Sequence, residues 1–312
     1  HRGDNVIATF FGGAAAHPGT SQIGETQFQR QLYQSMIGAL LLIKANIEAW
    51  RSQNSMGMLL WMLNDVWASG SWGTLEYRGR YKPLHYQLGR STYSDQLATC
   101  NTAAACYVTN DSPVVFAGSL SVRLPNVQTG ATGLLTNTSS LQLGAGPFVT
   151  AWFCGTGHAS DTLQHTSDLR HCRPWTAVPT WKQVGCTVGG ANCVAIVQVS
   201  SSAGGLRSDN VLPFQPPYKM RLSPNATVTA TVGRRTALRD AVEILLTASA
   251  PALYVVLTTK VEGRFSDNAM LVEGPRTVTF VGWDKISDAQ LALLRSSLRV
   301  EHLSQQLSQV YK

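Results

Sequence analysis

Between Glu25 and Arg51, apolar side chains return every three or four residues, at Phe28, Leu32, Met36, Leu40, Ile43, Ile47 and Trp50. That period predicts one amphipathic helix with this stripe in the core. Gln29, Gln34, Lys44 and Glu48 fall largely on other faces, and Asn54, Ser55 and Gly57 end the pattern. Met58 to Leu63 is an uninterrupted apolar run, which predicts a strand buried on both sides, as in a parallel sheet. A helix feeding such a strand is the unit of an α/β barrel or doubly wound sheet, whose ligands bind at the carboxyl ends of strands. Residues 1–24, rich in Gly, Ala and Thr, read as a short helix followed by a loop.

Beyond residue 95 the helical period disappears. Short β-rich runs alternate with Gly, Pro, Asn and Ser turns: 104–109, 118–124, 148–153 and 194–200. These predict an antiparallel sandwich. Residues 201–217, with Pro213, Pro216 and Pro217, suit a boundary; 227–232, 252–258 and 277–281 then form a second β series. Residues 237–246 are ambiguous between helix and strand. Leu303 to Lys312 reads as a weak amphipathic turn.

Composition narrows the setting. Charged residues make up only 14% of the 312 positions, against about 25% in ordinary soluble chains. With eight Trp, nine Tyr and nine Phe, the chain has ample material for a core and is not intrinsically disordered over most of its length. The formal charge of +7 is dispersed; its densest group, Arg78, Arg80 and Lys82 interleaved with Tyr77 and Tyr81, reads as a solvated loop rather than a nucleic-acid surface. The most apolar window, 241–259, is broken by Glu243 and Pro251, so no membrane span is expected. The chain opens on His1-Arg2-Gly3-Asp4, which is no signal peptide, and reads as a processed or truncated product.

The six cysteines are Cys100, Cys106, Cys154, Cys172, Cys186 and Cys193. Short separations favour Cys100–Cys106 and Cys186–Cys193 as local loops, leaving Cys154–Cys172. A zinc site using His158 and His171 competes for the last pair, but the short paired ligand spacings of zinc modules are missing. Sequons stand at Asn110, Asn137 and Asn225. An even cysteine count, several sequons and low charge agree on an oxidising, glycosylating compartment: lysosomal, vacuolar or secreted. No metal and no cofactor are expected.

The chemistry-bearing stretch runs Trp61-Met62-Leu63-Asn64-Asp65-Val66-Trp67, then Ser71-Trp72-Gly73, Glu76-Tyr77 and Lys82-Pro83-Leu84-His85-Tyr86. Indoles stack on the C–H faces of sugar rings, and carboxylates and amides pair with hydroxyls. Packing of the same tryptophans beneath a loop remains the alternative on these residues alone.

This stretch resembles the region that ends the catalytic barrel of β-mannosidases, glycoside hydrolase family 2. His1-Arg2, Asn5 and Ile7 resemble the segment after the nucleophile strand, and Gln34 with Ile47–Arg51 the penultimate barrel helix. Cys186 to Cys193 with Val194–Val197 resembles the family's fourth domain. Gly263–Met270, Arg276–Phe280 and Trp283 resemble its last β domain. The resemblance implies a multidomain α/β plus all-β architecture. Residues 1–95 would be the C-terminal part of a (β/α)₈ TIM barrel, and 96–205 and 206–312 two immunoglobulin-like β-sandwiches. It implies a retaining hydrolase acting on β-linked mannose in glycans, with Trp61, Asn64, Asp65, Trp67 and Trp72 as substrate-binding residues and His85 as a structural residue. The family's acid/base Glu follows an Asn; none of the seven glutamates here does, and the nucleophile precedes the segment that starts at His1. No catalytic residue is therefore expected in this chain. The expected partner is an N-terminal portion of the same enzyme, on a separate processed polypeptide or on sequence outside this one. Alternatives are a non-catalytic glycan-binding or structural subunit, or part of an endo-β-mannosidase.

Overall fold

A computed structural model describes residues 2–12, 24–53, 55, 57–67, 72–100, 106–146, 149–154, 173–174, 183–236 and 241–307. Helix α1 spans Arg2–Phe11 and α2 spans Glu25–Ser52. Glu25 in the first turn and Arg51 in the last complement the helix dipole of α2. The two helices meet at Gly38, where a Cβ would stand 2.5 Å from Val6 Cγ1. The missing side chain is what lets α1 lie that close.

The buried face of α2 is rotated from the expected stripe. Tyr33, Ile37, Leu40, Leu41 and Ile47 are inside, together with Gln34, Lys44 and Glu48, while Phe28, Leu32 and Trp50 are exposed. The polar residues turn inward because partners wait there. Glu48 Oε2 accepts from Lys44 Nζ and from Thr99 Oγ1, both at 2.9 Å, and Oε1 accepts from Asn210 Nδ2 at 2.8 Å. A buried carboxylate is tolerated when it is paired and hydrogen-bonded in this way.

The expected strand at Met58–Leu63 is an extended segment with no sheet partner among the described residues. Met58 and Leu60 pack against the core that contains α2, whereas Leu59 is 100% exposed and Trp61 and Leu63 are also exposed. The run is therefore half-buried with a period of two, and no described strand covers its other side. No (β/α)₈ barrel forms among the described residues; residues 1–95 supply helices and loops packed on the β domains. Helix α3 (Pro83–Gln87) begins with Pro at its first position and continues as a wide turn over Leu88–Thr92.

The first sandwich contains β1 (Gln96–Cys100), β2 (Cys106–Asn110), β3 (Phe116–Pro125), β4 (Thr132–Leu143), β5 (Val149–Cys154), β6 (Arg173–Pro174), β7 (Val194–Ser201) and β8 (Leu206–Pro213). Its sheets run β1-β2-β5-β6 and β4-β3-β7-β8. Strand β8 pairs antiparallel with β7 from Val194↔Pro213 to Ser200↔Leu206. A boundary at 205/206 would cut this hairpin, so Leu206–Pro213 goes with the first sandwich.

The second sandwich contains β9 (Val228–Arg235), β10 (Ala241–Ala248), β11 (Ala252–Thr258), β12 (Gly263–Phe265), β13 (Met270–Val272), β14 (Arg276–Gly282) and β15 (Arg299–Glu301). Its sheets run β12-β14-β10-β9 and β13-β11-β15. Residues 241–246 of the ambiguous segment thus resolve to strand β10. Helix α4 (Asp288–Ser297) starts on a capping box between Ser287 and Gln290, and α5 (Leu303–Gln306) follows β15.

Three apolar clusters organise the molecule. Two are the sandwich interiors. The third joins α1 and α2 to Val194 and Ile196 of β7 and to Leu253, Tyr254 and Val256 of β11. Helix α2 thus covers the outer faces of both strands, which explains why β7 and β11 read as continuous apolar runs although their sheets are antiparallel. Tyr33 Oη donates to Tyr254 O at 2.7 Å across this contact. Arg90 Nη1 bridges to Asp267 Oδ1 at 3.0 Å, and Arg123 pairs with Glu273 between the two sandwiches.

Candidate functional site

Residues 61–67 and 72–77 of the tryptophan-rich stretch stand at the surface as two arms clasped together by backbone hydrogen bonds. Leu75 N and Thr74 N donate to Leu63 O at 2.9 Å each, and Asp65 N donates to Leu75 O at 3.0 Å. Thr74 Oγ1 donates to the same Leu63 carbonyl at 2.8 Å and lies 3.0 Å from His85 Nδ1. Lys82 N donates to Thr74 O at 2.9 Å, which seats the start of α3 on the clasp. Thr74 is completely buried.

From this base the indoles project outward. Trp61 is 77% exposed, Trp67 67% and Trp72 47%. They do not pack beneath the loop. Asn64 is exposed as well, its Nδ2 donating to Asp65 O at 3.2 Å. The Trp61–Met62 peptide is cis.

Asp65 departs from the other candidates. It is only 2% exposed, although Asn64, Val66 and Trp67 beside it are open to solvent. Its Oδ2 accepts from Lys82 Nζ at 2.7 Å. At Gly73 a Cβ would approach Asp65 Oδ1 to 2.5 Å, so the carboxylate lies directly against the opposite arm of the loop. Asp65, expected from the resemblance to bind substrate, turns its carboxylate inward. Lys82, read from sequence as one of a solvated basic group, is the mostly buried partner. Lys82, Gly73 and Thr74 stood in the chemistry-bearing stretch without an assigned role. Lys82 directly before Pro83, a helix start, and Gly73 directly after Trp72 were the available signals.

His85 is half-buried beneath the loop, with its ring 4.2 Å centroid to centroid from Tyr81, and burial lowers its pKa from 6.5. A cavity of about 830 Å³ opens on this inner side, lined by Leu60, Leu63, Tyr81, His85, Arg264 and Asp267 among others; Trp61, Trp67 and Trp72 do not line it. The three indoles stand on the exposed face of the stretch, away from this cavity.

Five of the seven glutamates are engaged in ion pairs. Glu48 is buried with Lys44, and Glu76, Glu262, Glu273 and Glu301 pair with Arg80, Arg78, Arg123 and Arg299. Among the described residues no group of three or more His, Cys, Asp or Glu converges on a metal position.

Two disulfides close as expected, Cys100–Cys106 at the end of the β1–β2 hairpin and Cys186–Cys193 before β7. Cys154–Cys172 and the histidines near it lie outside the residues whose side chains are described. Asn137 and Asn225 are exposed. Asn110 is corrected: it is wholly buried, and its Nδ2 donates to Val114 O at 2.9 Å and Gly144 O at 2.8 Å, leaving no room for a glycan on that nitrogen. Among the described residues no helix is long and apolar enough to cross a membrane.

Residues 223–306 match the model of the Ig-fold domain of mannosidases. The chain is 27% identical over 278 residues to bovine (Bos taurus) β-mannosidase, covering 85% of this chain and 29% of the relative. A 33-residue stretch is 54% identical to β-mannosidase of Mus musculus, 11% of this chain and 4% of that one.

The chain resembles β-mannosidases. Among solved structures, β-D-mannosidase from Dictyoglomus thermophilum superposes with a TM-score of 0.58 at 19% identity, covering 96% of this chain and 32% of that one. The exo-chitosanase of Amycolatopsis orientalis gives 0.57 at 15% identity, covering 96% and 35%. These two establish a shared fold. The β-mannosidase likeness is a partial one: the chain spans about 29% of the length of the bovine enzyme.

Proposed function

We propose that this chain is the C-terminal part of a retaining glycoside hydrolase that cleaves β-linked mannose from glycans. Its loop supplies an aromatic wall, and both catalytic carboxylates belong to sequence outside it. The observation that carries the reading is Trp61, 77% exposed at the end of an extended segment and accompanied by exposed Trp67 and Trp72 on a clasped loop. An indole held open to solvent stacks on the apolar face of a sugar ring, and such contact grows in value as the ring flattens toward an oxocarbenium-like transition state. Five ion-paired glutamates and the lack of an Asn-Glu pair favour catalytic acids elsewhere. The alternating exposure of Leu59, Trp61 and Leu63 favours a partner portion of the enzyme lying against this segment. Two disulfides favour an oxidising compartment, lysosomal, vacuolar or secreted.

The test uses the native particle, purified with any polypeptide that accompanies this chain and assayed for release from an aryl β-mannoside. Activity is expected in the particle and none in this chain alone. Trp61→Ala in the particle lowers kcat on the order of 10²-fold. A particle without β-mannoside hydrolysis, or a Trp61→Ala variant with a normal rate, overturns the reading.

A further inference from the structure

We propose that Asp65 and Lys82 act as a positioning pair for the aromatic wall, neither touching the sugar; the inference rests on the hydrolase reading above. The motivating contrast lies within one short loop. Four consecutive residues, Asn64 to Trp67, include three that face solvent and one, Asp65, that is turned fully inward. The Asp65 and Lys82 side chains are 1% and 11% exposed, and their charged atoms stand 2.7 Å apart. A buried charge costs much unless paired, so removing either member costs the other its charged partner.

The pair ties together three stretches that carry or support the indoles. Asp65 sits between Trp61 and Trp67 in sequence, and its own N–H donates to Leu75 O. Its Oδ1 lies against Gly73, the residue after Trp72, so closely that no larger residue fits at that position without displacing the carboxylate. Lys82 stands directly before α3, where its N–H donates to Thr74 O. One carboxylate thus fixes the relative placement of the segments bearing Trp61, Trp67 and Trp72. Stacking on a reacting ring is sensitive to displacements of about 1 Å, so loosening this tie acts on turnover through the tryptophans.

The prediction separates positioning from direct binding and from simple stability. In the intact enzyme, Asp65→Asn and Lys82→Met each lower kcat about tenfold or more, with KM changed by less than about threefold. The double variant is no worse than the poorer single one, because the two residues act as one unit. Lys82→Arg, which keeps the charge, recovers at least part of the rate. A direct ligand role for Asp65 gives another result: Asp65→Asn severe, Lys82→Met mild, and the double variant at least as poor as their product. Rates per folded molecule that stay normal while only Tm falls also overturn the proposal. Because wild-type and variants are measured together, a wild-type particle without β-mannosidase activity defeats the functional reading, whereas an active wild-type with unaffected variants defeats this inference alone.

Discussion

Residue by residue, polar groups in this protein point inward wherever a partner has been built for them. One exception among several in the described residues is His302. It is fully buried, its Nδ1 lies 2.8 Å from Ser304 Oγ, and its Nε2 has no hydrogen-bond partner. Burial lowers its pKa from 6.5. As pH falls, the unfolded chain therefore takes up this proton first, and stability from the neutral ring, fully present above about 6.5, is lost as pH falls through the folded value. The adjacent Glu301 works in the opposite sense. Burial raises its pKa from 4.5 despite Arg299, so its contribution is full below 4.5 and lost as pH rises through the folded value. His302→Asn keeps a side chain able to cap α5 and removes the titration. Measured from pH 7.5 to 5, Tm of this variant is expected to fall less steeply than that of wild-type; parallel curves would rule out His302 as the source of the acid slope.

At the level of elements, packing overrules intrinsic preference. Gly38 lies within α2, where Ala is favoured by about 1 kcal/mol on helix propensity. The Cβ of that Ala, however, meets the branched Val6 side chain at 2.5 Å, and overpacking of this kind typically costs about 1–3 kcal/mol. Gly38→Ala is expected to destabilise the protein on balance, and Val6→Ala in the same chain to restore part of the loss, as read by denaturant midpoints. A stabilised single variant would show that α1 shifts freely.

The same competition explains what was legible in the sequence. The period of α2 was readable, and so were β3, β7, β11 and β14, because their apolar residues commit them to a core. The rotation of α2 was not, because Lys44 and Glu48 look like solvent-facing residues until Thr99 and Asn210, from distant strands, meet them. Strand β8 was hidden for a related reason. Its inward positions include Ser208 and Asn210, residues that read as turn formers, so the segment looked like a linker. At the candidate site the cluster of tryptophans was legible, but their exposure was not, because indoles packed beneath a loop leave the same pattern in the sequence. Nor was the Asp65–Lys82 tie, since the two are 17 residues apart and each looks like a surface charge.

On the scale of the whole molecule, two of the apolar surfaces open among the described residues lie on the N-terminal part. One is the Phe28, Leu32 and Trp50 side of α2; the other is the Leu59, Trp61 and Leu63 side of the extended segment. Each backs onto a well-packed core through its opposite face, so the exposure does not come from poor folding. Open apolar surface on this scale marks a contact for another protein portion or a site of aggregation. The proposed N-terminal portion of the enzyme is the occupant that also brings the missing carboxylates, which ties both surfaces to one cause. The chain produced alone is therefore expected to self-associate and bind a hydrophobic dye, and the assembled particle to do neither. Replacing Leu59 and Phe28 by Ser should make the isolated chain more soluble while lowering the yield of assembled, active particle. Leu59 is the sharper probe, because it is fully exposed and lies two residues from Trp61. Should both Ser variants assemble and turn over normally, these surfaces are not the seam, and the catalytic portion meets the chain elsewhere.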